Sequence, residues 1–111
     1  MKTILIFIVI FFCNMARAEF FKNISQIIDN NEKRLSYGVS VTDFDKDGNY
    51  EFIVTGFGYP NLALKYKDGK LVNNIKNDLF VDASRKTIGV TACDIDQDGF
   101  EEIYFLNTDT Y

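Results

Sequence analysis

The chain of 111 residues has no histidine, no tryptophan, one proline and two cysteines. Each scarcity removes a class of function. Without histidine there is no imidazole to act as a general base or as a nitrogen ligand for zinc. Ser25, Ser36, Ser40 and Ser84 have no evident base partner, so the sequence is read as non-enzymatic. Cys13 belongs to an apolar leader, which leaves Cys93 alone. A disulfide framework is therefore excluded. Cys93 is read as a small buried hydrophobe beside Asp94, the alternative being a thiol that needs a partner from outside. Twelve basic residues against sixteen acids make no patch for nucleic acid.

Long apolar runs are also scarce. Ile4 to Phe12 is unbroken, follows a basic Met1-Lys2 start, and precedes the small–x–small site Ala16-Arg17-Ala18. That is the layout of a secretory signal peptide, residues 1–18. The run falls short of the roughly 20 residues that span a bilayer, and no second one follows. The expectation is a secreted, extracellular product that does not span the membrane and begins at Glu19. Loss of Lys2 and Arg17 would take the net charge from −4 to −6.

What the chain does have is acid in two places. Asp43 to Glu51 reads D-F-D-K-D-G-N-Y-E, and Asp94 to Glu102 reads D-I-D-Q-D-G-F-E-E. The two lie fifty-one residues apart. Aligning Gly38–Gly56 with Gly89–Asn107 gives seven identities in nineteen positions, with apolar residues facing apolar ones on both sides. This is an internal repeat of about fifty residues. Eight of the sixteen acids stand at positions 1, 3, 5 and 9 of these loops, and without those eight the secreted chain would carry ten basic and eight acidic residues. Oxygens so crowded suit a hard cation, and Ca²⁺, which takes six to eight oxygens at about 2.3–2.6 Å, is the usual one. Gly48 and Gly99 stand where each loop must turn sharply.

The glutamates argue against an EF-hand. That loop needs its bidentate Glu at position 12, where this chain has Val54 and Phe105, whereas Glu51 and Glu102 stand at position 9. The flanks read as strands rather than helices. Acids at positions 1, 3, 5 and 9 between two strands resemble the FG-GAP loops of integrin α-subunit propellers. On that resemblance Asp43, Asp45, Asp47 and Glu51, and likewise Asp94, Asp96, Asp98 and Glu102, would coordinate by side chain. Asn49 and Phe100 would coordinate by backbone carbonyl. Glu in place of the family's usual Asp at position 9 is a departure in both loops.

The flanking words extend the likeness. Y-G-V-S-V-T-D-F-D-K-D-G, Y-P-N-L-A-L-K-Y and I-G-V-T-A-C-D-I-D-Q-D-G-F-E-E-I-Y-F-L-N-T, from about Leu35 to Thr108, resemble the N-terminal part of the cartilage acidic protein family. The resemblance implies a secreted matrix glycoprotein built on a seven-bladed propeller of FG-GAP/VCBS-like repeats, with later regions that this sequence does not contain. It thereby implies a piece of a longer protein or a truncated gene product.

The expected layout is all-β: a partial β-propeller of about one and a half blades after the signal peptide. Residues 19–37 form a lead-in, 38–88 one blade, and 89–111 the start of the next. In the lead-in, Phe20, Phe21, Ile24, Ile27 and Ile28 fit a helix, and a strand over 20–24 fits nearly as well. Asn23-Ile24-Ser25 is a glycosylation sequon, with Asn23 the candidate site. Strands are predicted over 38–42, 52–55, 62–67 and 70–73, with an Asp68-Gly69 hairpin turn. A further edge strand is predicted over 79–83, and the incoming and outgoing strands recur at 89–93 and 103–106. Phe52, Val54, Leu62, Leu64, Val90, Ile103 and Phe105 should be only partly covered, because blades are stabilised by stacking on neighbours. Self-association through the uncovered blade face follows. The function expected is a calcium-binding matrix or adhesion scaffold that contacts extracellular proteins or matrix components. The alternative is a small soluble calcium-binding or decoy product of a truncated gene.

Overall fold

β-branched and aromatic residues cluster between the turn signals, and each cluster is a strand. A computed structural model describes residues 20–75, 78–81 and 83–108. The leader over 1–18 and its cleavage junction lie outside those residues. The first sheet is an antiparallel meander in the order β1 (Val39–Thr42), β2 (Glu51–Val54), β3 (Leu62–Lys67), β4 (Lys70–Asn73). Four strands in this order are the form of one propeller blade. β3 turns into β4 through Asp68 (φ 50°) and Gly69 (φ 84°), the left-handed pair that suits a two-residue hairpin. A second sheet pairs β5 (Lys86–Cys93) with β6 (Glu102–Thr108), and its register shifts between Thr87 and Gly89. Among the described residues the chain is all-β apart from two short helical pieces, as expected.

One short piece corrects the reading of 79–83 as an edge strand. Asp78–Val81 is a helical turn, α1. The Asn61 side chain donates to the Phe80 carbonyl at 3.1 Å. The Phe80 ring lies between Phe44 and Phe105, with centroids 5.4 and 5.2 Å away. An extended segment there would forgo this wedge between the two sheets. The lead-in makes no helix over Phe20–Ile28 either. A single 3₁₀ turn spans Ser25–Ile27, and the chain then bridges in parallel to β4 at Ile28 and Leu71. The Asn23 carboxamide accepts the Ser25 N–H, a local bond that competes with helix.

The two faces of the first sheet differ. Thr42, Glu51, Ile53 and Ala63 alternate onto one face, and each is fully buried. The other face carries Val39, Val41, Phe52 and Tyr66, all exposed, as the partial-cover argument expected. Val54, Leu62, Val90, Ile103 and Phe105 are half-buried. Leu64 departs from that expectation and is buried, because the lead-in folds over the Leu62–Leu64 end of the face. Cys93 is exposed, which corrects its reading as a buried hydrophobe. It ends β5, where the strand runs out into the second acidic loop.

Backbone joins the sheets. Phe57 bridges Lys86, the Thr87 N–H reaches the Gly56 carbonyl at 3.2 Å, and the Gly58 N–H reaches the Arg85 carbonyl at 3.0 Å. β1 runs beside β5, and a Cβ on Gly38 would lie 3.0 Å from the Gly89 Cα. These two glycines occupy the same place in the repeat.

Candidate metal centre

Each acidic loop joins an outgoing strand end to the next strand: β1 to β2 in one case, β5 to β6 in the other. The loops have one backbone form. Lys46 and Gln97 take φ of 61° and 64°, and Gly48 and Gly99 take 86° and 89°. Their carboxylates hold that form by accepting backbone N–H groups. Asp43 accepts from Asp47 at 3.0 Å and from Gly48 at 2.8 Å, while Asp94 accepts from Asp98 at 3.1 Å and from Gly99 at 2.9 Å. The position-9 glutamates brace the loop start, where Glu51 accepts the Phe44 N–H at 3.1 Å and Glu102 the Ile95 N–H at 2.9 Å. Asp47 and Asp98 accept the N–H two residues on, from Asn49 and Phe100.

This folding gathers oxygens. Asp43, Asp45 and Glu51 each offer one carboxylate oxygen within 4.8 Å of the others, and so do Asp94, Asp96 and Glu102. Two oxygens on one calcium ion stand at most about 4.6–5.2 Å apart, so both clusters fit a shared ion. All donors are hard oxygens, as calcium prefers. Glu51 is fully buried, and its Oε1 makes no hydrogen bond, which leaves a lone-pair oxygen facing the cluster. Asp47 and Asp98 stand outside the three-carboxylate groups. Asn49 turns its side chain to Asp47, at 3.1 Å. The Phe100 ring lies under Lys46 Nζ, 3.0 Å from its centroid, so the two loops touch. A cleft of about 300 Å³ between them is lined by Asp43, Lys46, Tyr50, Gly99, Phe100 and Glu101.

Sequence reading missed one residue of the first loop. Lys65, on β3, lies opposite Glu51 in the β2–β3 register. Its Nζ is 2.8 Å from Asp45 Oδ2, 2.5 Å from Asp47 Oδ2 and 3.1 Å from Glu51 Oε1. The last contact is an ion pair without hydrogen-bond alignment, so Glu51 Oε1 has charge compensation but no donor. Asn74 also donates to Asp45, at 2.9 Å. The Lys65 hydrogen bond comes first among the causes that lower the Asp47 carboxyl to about 2, followed by the Asn49 N–H. Burial is the largest single effect on Lys65 and favours its neutral form. Asp45, Asp47 and Glu51 together outweigh it, so the ammonium is held above the ordinary lysine value. The signal was present as the alternation of L-A-L-K-Y-K, which puts Lys65 on the same face as Ala63, while its register with β2 is set by the 55–61 connection. Among the described residues no lysine or arginine is ion-paired with Asp94, Asp96, Asp98 or Glu102.

Asn23 is exposed on the lead-in, away from both loops in sequence and in strand pairing. No helix among the described residues is long and apolar enough to cross a membrane.

A repeat whose first two strands are joined by an acidic loop defines the class, and residues 43–105 match the FG-GAP-like repeat family, to which the chain belongs. The chain is similar to cartilage acidic protein 1 of Homo sapiens, with 51% identity over 88 residues, 72% of this chain and 13% of that protein. The Mus musculus protein of that name is 50% identical over 88 residues, again 72% of this chain and 14% of the relative. The Xenopus tropicalis one is 48% identical over 91 residues, 75% and 14%. The chain thus spans about one seventh of the length of the curated relatives it matches.

Proposed function

We propose that the chain is a calcium-dependent, non-enzymatic scaffold of the extracellular space or matrix, in which the acidic loops stiffen the rim of a propeller. The observation that carries this reading is the doubled three-carboxylate cluster on one shared backbone form. Asp43, Asp45, Asp47 and Glu51, with the Asn49 carbonyl, make up one candidate cation position. Asp94, Asp96, Asp98 and Glu102, with the Phe100 carbonyl, make up the other. A bound ion supplies charge neutralisation and a crosslink between the strands flanking the loop. Residues 38–88 would form one blade and 89–111 the start of its neighbour. The exposed Val39, Val41, Phe52 and Tyr66 face fits a further blade or a second copy, and the remaining surface would meet extracellular proteins.

Extracellular delivery is supported by the leader and by the likeness to cartilage acidic protein 1. Asn23 is exposed, as a glycosylation site must be. Calorimetric titration with Ca²⁺ tests the reading. Calcium-dependent heat that Asp96→Ala abolishes at the second loop is the expected result. An undiminished stoichiometry in Asp96→Ala would reduce that loop to a solvated turn. Expression with the leader in a secreting cell tests delivery: the product should enter the medium beginning at Glu19, and a membrane-bound product retaining Met1 would refute it.

A further inference from the structure

The two loops share a sequence pattern and a backbone form, yet their charges are not balanced in the same way. We propose that Lys65 is a tethered counter-ion seated at the cation position of the first loop, so that the first loop is held by the chain's own ammonium and the second is the calcium site. This rests on the calcium reading given above.

Lys65 Nζ lies within 2.5–3.1 Å of oxygens from Asp45, Asp47 and Glu51. An ion shared by Asp45 and Glu51 would stand about 2.3–2.6 Å from the same oxygens. The two positions overlap, and two cations cannot share them. The ammonium is also placed there by the fold. Lys65 faces Glu51 across the β2–β3 pair, with a side chain only 15% exposed. A group held in place by its strand competes at an effective concentration of at least millimolar, as high as extracellular calcium or higher.

Burial makes this cation a standing requirement. Glu51 is fully buried with Oε1 lacking any hydrogen bond, so its charge needs a partner in every state of the folded chain. Glu102, at the same place in the second loop, is exposed, and water can solvate it. The first loop therefore has its charge compensated without calcium, whereas Asp94, Asp96, Asp98 and Glu102 of the second have no paired cation among the described residues. Calcium must displace the ammonium to enter the first loop. If the loop is open to the ion a tenth of the time or less, its apparent Kd there rises about tenfold or more.

The test titrates Ca²⁺ alone into the full chain and follows thermal unfolding in EDTA and in millimolar calcium. Wild type should bind one ion in the working range, and Asp96→Ala should bind none. Lys65→Met should bind a second ion at least about tenfold more tightly than wild type binds at that loop, and Lys65→Met with Asp96→Ala should keep it. In EDTA, Lys65→Met should unfold at a lower temperature than wild type, with calcium restoring the difference. Lys65→Arg, which keeps the charge, should bind one ion like wild type. Two ions of similar affinity in wild type, or one retained by Asp96→Ala, would overturn the inference while leaving the calcium reading intact. These two proteins keep Lys65, so their stoichiometries decide the matter even if Lys65→Met does not fold. Absence of binding in every variant would overturn the calcium reading and this inference with it.

Discussion

Asn61 ties the turn after β2 to the α1 wedge with a single side chain, and its removal makes a demanding test. The residue is 4% exposed. Its carboxamide oxygen accepts the Gly56 N–H at 2.9 Å, and its NH₂ donates to the Phe80 carbonyl at 3.1 Å. In Asn61→Ala both backbone groups lose their partner. A buried polar group left unpaired costs about 1–3 kcal/mol. Gly56 is buried, so its N–H should lose most of that. Phe80 is half-buried, and water can recover part of the loss at its carbonyl. The sum is about 2–3 kcal/mol. For a domain of this size each kcal/mol moves Tm by roughly 4–8 °C, so the midpoint should fall by about 10–20 °C. Urea unfolding followed by tyrosine fluorescence suits a chain with six tyrosines and no tryptophan. The m-value should stay constant, since the surface exposed on unfolding hardly changes. Asn61→Asp discriminates further: it keeps an acceptor for Gly56 but turns a carboxylate oxygen on the Phe80 carbonyl, and should be no better than alanine. A loss below about 0.5 kcal/mol in Asn61→Ala, the range of an ordinary surface change, would refute the joint.

Gly38→Ala should cost about 1–3 kcal/mol by overpacking, because its Cβ would press on the Gly89 backbone at 3.0 Å; Gly89→Ala should cost far less, its Cβ meeting only Leu106 at 3.6 Å. Paired urea curves compare them. A filled second loop should gain about 1.4 kcal/mol at about 1 mM free Ca²⁺ if its Kd is roughly 0.1 mM; Asp96→Ala should remove that gain, and magnesium should substitute poorly, both read from melting curves. Cys93 should react with a thiol reagent in the folded chain at a rate close to that of the urea-unfolded one, since it is exposed. Asn23→Gln should abolish any glycosidase-sensitive shift in the gel mobility of the secreted protein.

The loops and most strands were legible because their signals are local. Alternate aspartates around a glycine, β-branched runs and the Asp68-Gly69 turn each act within a few residues. What escaped depends on distant partners. Phe80 is helical because Asn61 takes its carbonyl and two rings from other elements flank it, a circumstance that no window around Leu79–Ala83 contains. Lys65 reads as an ordinary outward lysine until the register with β2 puts it opposite Glu51. Cys93 follows an apolar pattern, yet it lies at the end of β5, where the sheet gives it no cover. In the lead-in, the helical spacing of apolar residues had no face to bury, and local Asn23 bonding prevailed.

The bracing of the acidic loops by their own N–H groups has a consequence for how calcium is sensed. Asp94 and Glu102 already hold three backbone amides in place, and the turn is shaped by Gln97 and Gly99. An ion meets a finished socket and does little remodelling. Its arrival changes the local charge by two, against the five acidic residues of that loop, while the outline of the rim stays nearly the same. A partner that responds to calcium here would be reading an electric field and not a change of form, and its response should weaken with ionic strength over a Debye length of about 8–10 Å.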